Sequence, residues 1–72
     1  MKNLSETEVI RSLQDAGCDK ETIEKFMKVN GNQKEMLNIL QKQRSYILNT
    51  LHPIQKELEC IDYLIYIIRK AV

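Results

Sequence analysis

Three features of the sequence predict an all-α fold. Three capping signals each open a helix, both glycines stand where a helix would end, and an apolar repeat of alternating three- and four-residue steps runs from Leu37 to Val72. Together they predict two short N-terminal helices and one long coiled-coil helix that pairs antiparallel with a second copy. Residues 1–31 then form a short helical hairpin and residues 32–72 a dimerisation helix, folding as one cooperative domain.

The first helix starts at Ser5. Glu8 stands three residues on, as a capping box requires, and Leu4 and Val9 occupy the positions of a hydrophobic staple. Val9, Ile10, Leu13 and Ala16 make its apolar face, and Gly17 closes it. The second helix starts at Asp19, whose carboxylate can accept from the free N–H groups of the next turn. Cys18 and Ile23 flank it at staple positions, and Ile23, Phe26 and Met27 form the buried stripe. Glu21–Lys25 and Glu24–Lys28 are i,i+4 pairs in the favourable order. Asn30-Gly31 breaks the helix.

The third helix starts at Asn32, with Glu35 at the capping-box position. Its seam reads Leu37, Leu40, Arg44, Ile47, Leu51, Ile54, Leu58, Ile61, Ile65, Ile68 and Val72 without a slip, with Arg44 as the one polar member. A strict 3.5-residue period held over about five heptads fits a coiled coil better than a helix lying on a globular core. Pro53 removes a backbone hydrogen bond and crowds the carbonyl of Asn49, or else opens a new helix of its own. Because the phase passes Pro53 unchanged, the sequence favours one helix bent at His52-Pro53 over two separate ones. Such a helix is roughly 60 Å long, more than two short helices can cover, so a second copy is the expected cover. The segment 60–68 is apolar nearly all round and needs covering on every side. An antiparallel pair brings it to the short helices of the other chain, and brings Arg44 near Asp62 across chains. The expected dimer interface is therefore Leu37, Leu40, Arg44, Ile47, Leu51, Ile54, Leu58, Ile61, Tyr63, Leu64, Ile65 and Ile68. Tyr63 and Tyr66 are expected to pack on the partner with their hydroxyls at the rim.

The segment Leu13–Ile23, with Ala16-Gly17 in its turn, resembles the linker between two short helices just ahead of the dimerisation helix in MerR-type transcriptional regulators. Leu58-Glu59-Cys60-Ile61-Asp62-Tyr63-Leu64-Ile65 is similar to the end of that dimerisation helix. The resemblance runs from about Ser5 onward and implies an antiparallel dimer. The family's winged helix-turn-helix and effector domain have no counterpart in these 72 residues, so what is implied is the dimerisation half of such a regulator. Cys18 matches no metal-ligand position of the family.

Charge argues against nucleic acid. The net charge is +1, with five basic and six acidic residues up to Gly31 and six and four after it. The second helix, read as a recognition helix, would lead with Asp19, Lys20, Glu21 and Glu24, poorly suited to phosphates. Residues 1–8 lack an apolar signal core, and segment 60–68, holding Asp62, falls far short of the roughly 20 residues of a membrane span. Cys18 and Cys60 read as reduced, small apolar residues of a cytoplasmic protein. Cys18 has a second reading, as a thiol activated at a helix N-terminus. His52, the single histidine, has no nucleophile or second ligand near it in sequence, and Ser5, Ser12 and Ser45 have no base. No catalytic, metal or cofactor residue is therefore expected. The expected function is that of a non-enzymatic, homodimeric interaction protein, regulatory or inhibitory, that contacts another protein. The alternative is a small DNA-binding dimer using the N-terminal helix pair.

Overall fold

A computed structural model describes residues 5–70. Four helices follow one another: α1 (Glu6–Asp15), α2 (Lys20–Lys28), α3 (Gln33–Leu48) and α4 (Gln55–Lys70). Each early boundary has a local chemical cause. At α1 the capping box is closed both ways, Glu8 N donating to Ser5 Oγ at 3.2 Å and Ser5 N to Glu8 Oε1 at 3.1 Å. Leu4, the staple partner of Val9, lies outside the described residues, as does Val72. At the other end Gly17 has φ +81°. Cys18 N donates to Leu13 O and Gly17 N to Gln14 O, both at 3.0 Å, the paired bonds of a Schellman motif. Leu13 and Cys18, the residues that such a motif brings together, are both buried.

Asp19 caps α2 through Oδ1, which accepts from Thr22 N at 2.8 Å. Of the two charge pairs read from sequence, Glu21–Lys25 closes at 3.3 Å on the surface, and Glu24–Lys28 does not close. Gly31, at φ +100°, turns the chain. Asn32 Oδ1 then accepts from Glu35 N at 3.1 Å. The reciprocal half of this capping box is not made, because Asn32 N already donates to Val29 O at 2.9 Å.

The single long helix is replaced by two. α3 stops at Leu48, where Asn49 N donates to Ser45 O at 3.0 Å and Thr50 Oγ1 to Ile47 O at 2.7 Å. α4 begins at Gln55, with Leu58 N donating to Ile54 O at 3.2 Å. Proline explains the break. A helix through Pro53 would lose its N–H bond to Asn49 O and press the ring against that carbonyl, and the residue before a proline is driven out of the helical region. Ending α3 early and restarting after Pro53 avoids both costs. The unbroken heptad phase favours a continuous helix, and the local cost at Pro53 prevails over it.

α4 folds back antiparallel along α3. α1 packs on α4, α2 on α3, and the two short helices touch each other, so they share one side of the hairpin. The longest dimension is 34 Å, against roughly 60 Å for the straight helix. The two segments 1–31 and 32–72 share one core: Val9, Leu13, Ala16, Cys18 and Phe26 from the first, Met36, Leu40, Ile47, Ile61, Leu64, Ile65 and Ile68 from the second. No buried side-chain polar atom lacks a partner among the described residues.

Candidate interaction surface

The residues read as a dimer seam divide into two groups. Leu40, Ile47, Ile61, Leu64, Ile65 and Ile68 are buried within one chain, and Leu37 and Leu58 are half-buried. The hinge after Leu48 permits this, since it lays the second half of the seam on the first. Arg44 Nε likewise donates to Asp62 Oδ1 at 2.7 Å inside the chain, where the sequence reading paired them across chains. The all-round apolar character of the α4 segment is covered in part by the chain's own helices: α3 and α1 pack on its stripe of Ile61, Leu64, Ile65 and Ile68, with Cys60 packed against the core, while the face that carries Tyr63 and Tyr66 stays exposed.

The second group faces solvent. Leu51 is 89% exposed and Ile54 56% exposed, both in the connection between α3 and α4. Leu48 at the end of α3 is also exposed, as are Tyr46, Tyr63 and Tyr66. Tyr63 and Tyr66 project from the face of α4 opposite its buried stripe. Lys70 Nζ donates to Tyr66 Oη at 2.9 Å and stands 5.2 Å from the centre of its ring. A cleft between α3 and α4 is lined by Gln41, Arg44, Ser45, Asp62, Ile65 and Arg69.

The groups considered for chemistry fall elsewhere. Burial pushes the Cys18 thiol up to about 11, and the nearby carboxylates of Asp19 and Glu57 push the same way. Position at a helix N-terminus would lower it, and desolvation prevails, so the activated-thiol reading is corrected to a protonated core thiol. Burial also raises the Cys60 thiol, and both cysteines are free. Ser5 is spent on its capping box, and the Glu8 carboxyl is held low chiefly by the bond it accepts from Ser5 N. His52 is exposed in the connection. Among the described residues no three His, Cys, Asp or Glu side chains converge as a metal would need. On α2, Phe26 is buried and Ile23 and Met27 pack on the core, while Lys20, Glu21, Glu24, Lys25 and Lys28 face solvent with mixed charge. No helix among the described residues is long and apolar enough to cross a membrane.

Sequence reasoning missed the hinge residues as a distinct feature, since Leu51 and Ile54 read as ordinary seam positions. Asn49-Thr50 followed by His52-Pro53, all poor continuers of a helix, was the available signal. The chain matches no family model, no curated protein and no solved structure.

Proposed function

We propose that this chain is a small, non-enzymatic interaction protein that works through protein–protein contacts, pairing with a second copy and presenting the pair to another protein in a regulatory or inhibitory role. The observation that carries this reading is the exposure of Leu51 and Ile54 beside Leu48, at one end of a domain whose other large apolar side chains are mostly covered. Exposed apolar side chains grouped at one end of a fold support a contact surface. Tyr46, Tyr63 and Tyr66 add amphipathic area of the kind enriched at energetic centres of interfaces. The resemblance to the dimerisation half of MerR-type regulators gives the reading a concrete form, in which the same helices pair with those of a longer regulator.

The test is affinity capture from the source cells with the wild-type chain and with Leu51→Asp/Ile54→Asp. A protein retained by the first and lost from the second supports the reading. Identical retention by both, or recovery of the bait alone, overturns it.

A further inference from the structure

The register of α3 and α4 contains more symmetry than a hairpin uses. Seam positions pair across the His52–Pro53 peptide bond at equal sequence distance: Leu37 with Ile68, Leu40 with Ile65, Arg44 with Ile61 and Ile47 with Leu58. The next pair in the series is Leu51 with Ile54, and in the hairpin both lie in the connection between α3 and α4, outside the packed seam. They are also the two fully apolar seam residues from 37 to 68 that stay exposed. Arg44 and Asp62, which do meet at 2.7 Å, stand nine residues on either side of Pro53.

An antiparallel pair of straightened chains with its two-fold axis at the same bond has the same register. If the connection Asn49–Ile54 extends, α4 leaves its own α3 and takes the same place on the α3 of a second copy. The contacts of α3 with α4 are then all remade between chains, Arg44–Asp62 included. The gain is that Leu51 of each chain comes opposite Ile54 of the other and both leave water. A fold that exchanges an identical element through a short connection needs no new surface.

We infer that Asn49–Ile54 is an exchange hinge and that the occupant of the exposed apolar hinge residues is a second copy of this chain, with α4 of each docked on α3 of the other. This rests on the self-pairing part of the proposed function. It accounts for an otherwise idle feature, the unbroken heptad phase through a proline turn.

The test has two arms. Light scattering behind a sizing column compares three chains: wild type, Pro53→Ala, and a chain with four glycines inserted between Leu51 and His52. Pro53→Ala removes the obstacle to a straight helix and is expected to lower the concentration of half-dimerisation at least about tenfold. The glycine insertion relaxes the turn and is expected to raise it at least about tenfold. The second arm co-refolds two single-cysteine chains, Arg44→Cys and Asp62→Cys, each in a Cys18→Ala/Cys60→Ser background, with oxidised glutathione in the buffer as the oxidant. A mixed disulfide-linked dimer is the expected product, because neither chain can form that link alone. A wild type and Pro53→Ala that both remain monomeric to about 1 mM overturn the inference together with self-pairing. A dimer that ignores the insertion, or that gives no mixed link, overturns exchange alone and leaves self-pairing as a face-to-face contact. Because the first arm keeps the native cysteines, it decides the matter even where the cysteine-free background does not fold.

Discussion

Replacing Gly17 with alanine separates two costs that the structure places at one residue. Gly17 has φ +81°, and a Cβ built on it would stand 2.6 Å from Glu57 Oε2. The left-handed backbone costs an L-residue about 1–2 kcal/mol, while alanine's stiffer unfolded chain returns about 0.4–1 kcal/mol. The net conformational cost is therefore about 1 kcal/mol. The close contact is with the far end of a flexible side chain, which can rotate away, so it adds less than the backbone does. Gly31 is the internal control: its φ is +100° and nothing lies within 4 Å of its would-be Cβ. Gly31→Ala reads the backbone cost alone, and Gly17→Ala exceeds it by the Glu57 contact. Thermal and urea unfolding followed by circular dichroism measure both, with about 4–8 °C of melting temperature per kcal/mol for a domain of this size. Total stability of about 4–11 kcal/mol leaves both variants folded. In a Glu57→Ala background the excess of Gly17→Ala over Gly31→Ala vanishes. A Gly17→Ala chain as stable as wild type refutes the left-handed C-cap, and one rescued completely by Glu57→Ala refutes the claim that backbone strain dominates.

Three further outcomes follow from the same structure. Leu64→Ala, at a fully buried site, lowers stability by about 2–5 kcal/mol in urea unfolding, whereas Tyr63→Ala, one residue away and more than half exposed, changes it by less than about 0.5 kcal/mol; equal losses would mean that α4 is rotated from the face described. The Asp19 carboxyl is held below its ordinary value by the bond from Thr22 N, so its stabilisation is complete above the unfolded pKa near about 4 and is lost as pH falls through the lower folded value. Asp19→Asn, which keeps a cap without a titrating group, flattens the acid side of the stability–pH curve, and an unchanged curve would contradict this. The Cys18 thiol is raised to about 11, so the folded state favours its neutral form, which protects stability below the unfolded value and gives it up as pH rises from there toward about 11. At neutral pH a thiol reagent therefore labels Cys60 first and reaches Cys18 at a rate that follows global unfolding.

The helix ends were legible because they are local. Ser5, Asp19 and Asn32 cap where hydroxyl, carboxylate and amide can reach a free N–H, and Gly17 and Gly31 sit at positive φ as their positions after helical runs require. The inward residues were legible too, since Leu40, Ile47, Ile61, Ile65 and Ile68 fall on one stripe whatever covers them. What covers them was not legible. An antiparallel seam has the same sequence pattern whether its strands belong to two chains or to one chain folded at the midpoint, and Arg44 finds Asp62 in either case. Only the connection distinguishes them, and there a non-local regularity competes with the local penalty of one proline. For the candidate surface, the pattern named Leu51 and Ile54 without showing that a turn would leave them uncovered. Tyr63 and Tyr66 fall on the face of α4 away from the core, which helical phase alone gives once the buried stripe is known.

The central claim is that one chain folds α4 back on α3 at Asn49–Ile54. Spin labels on exposed Lys34 and Arg69, in a dilute chain with the native cysteines replaced, test it most directly by the distance between them. These sites flank the bond from Gln33 Nε2 to Ile68 O at 3.0 Å, so the hairpin predicts a label separation of about 10–20 Å. A separation of about 50 Å, the length of a continuous helix between the two sites, would contradict it.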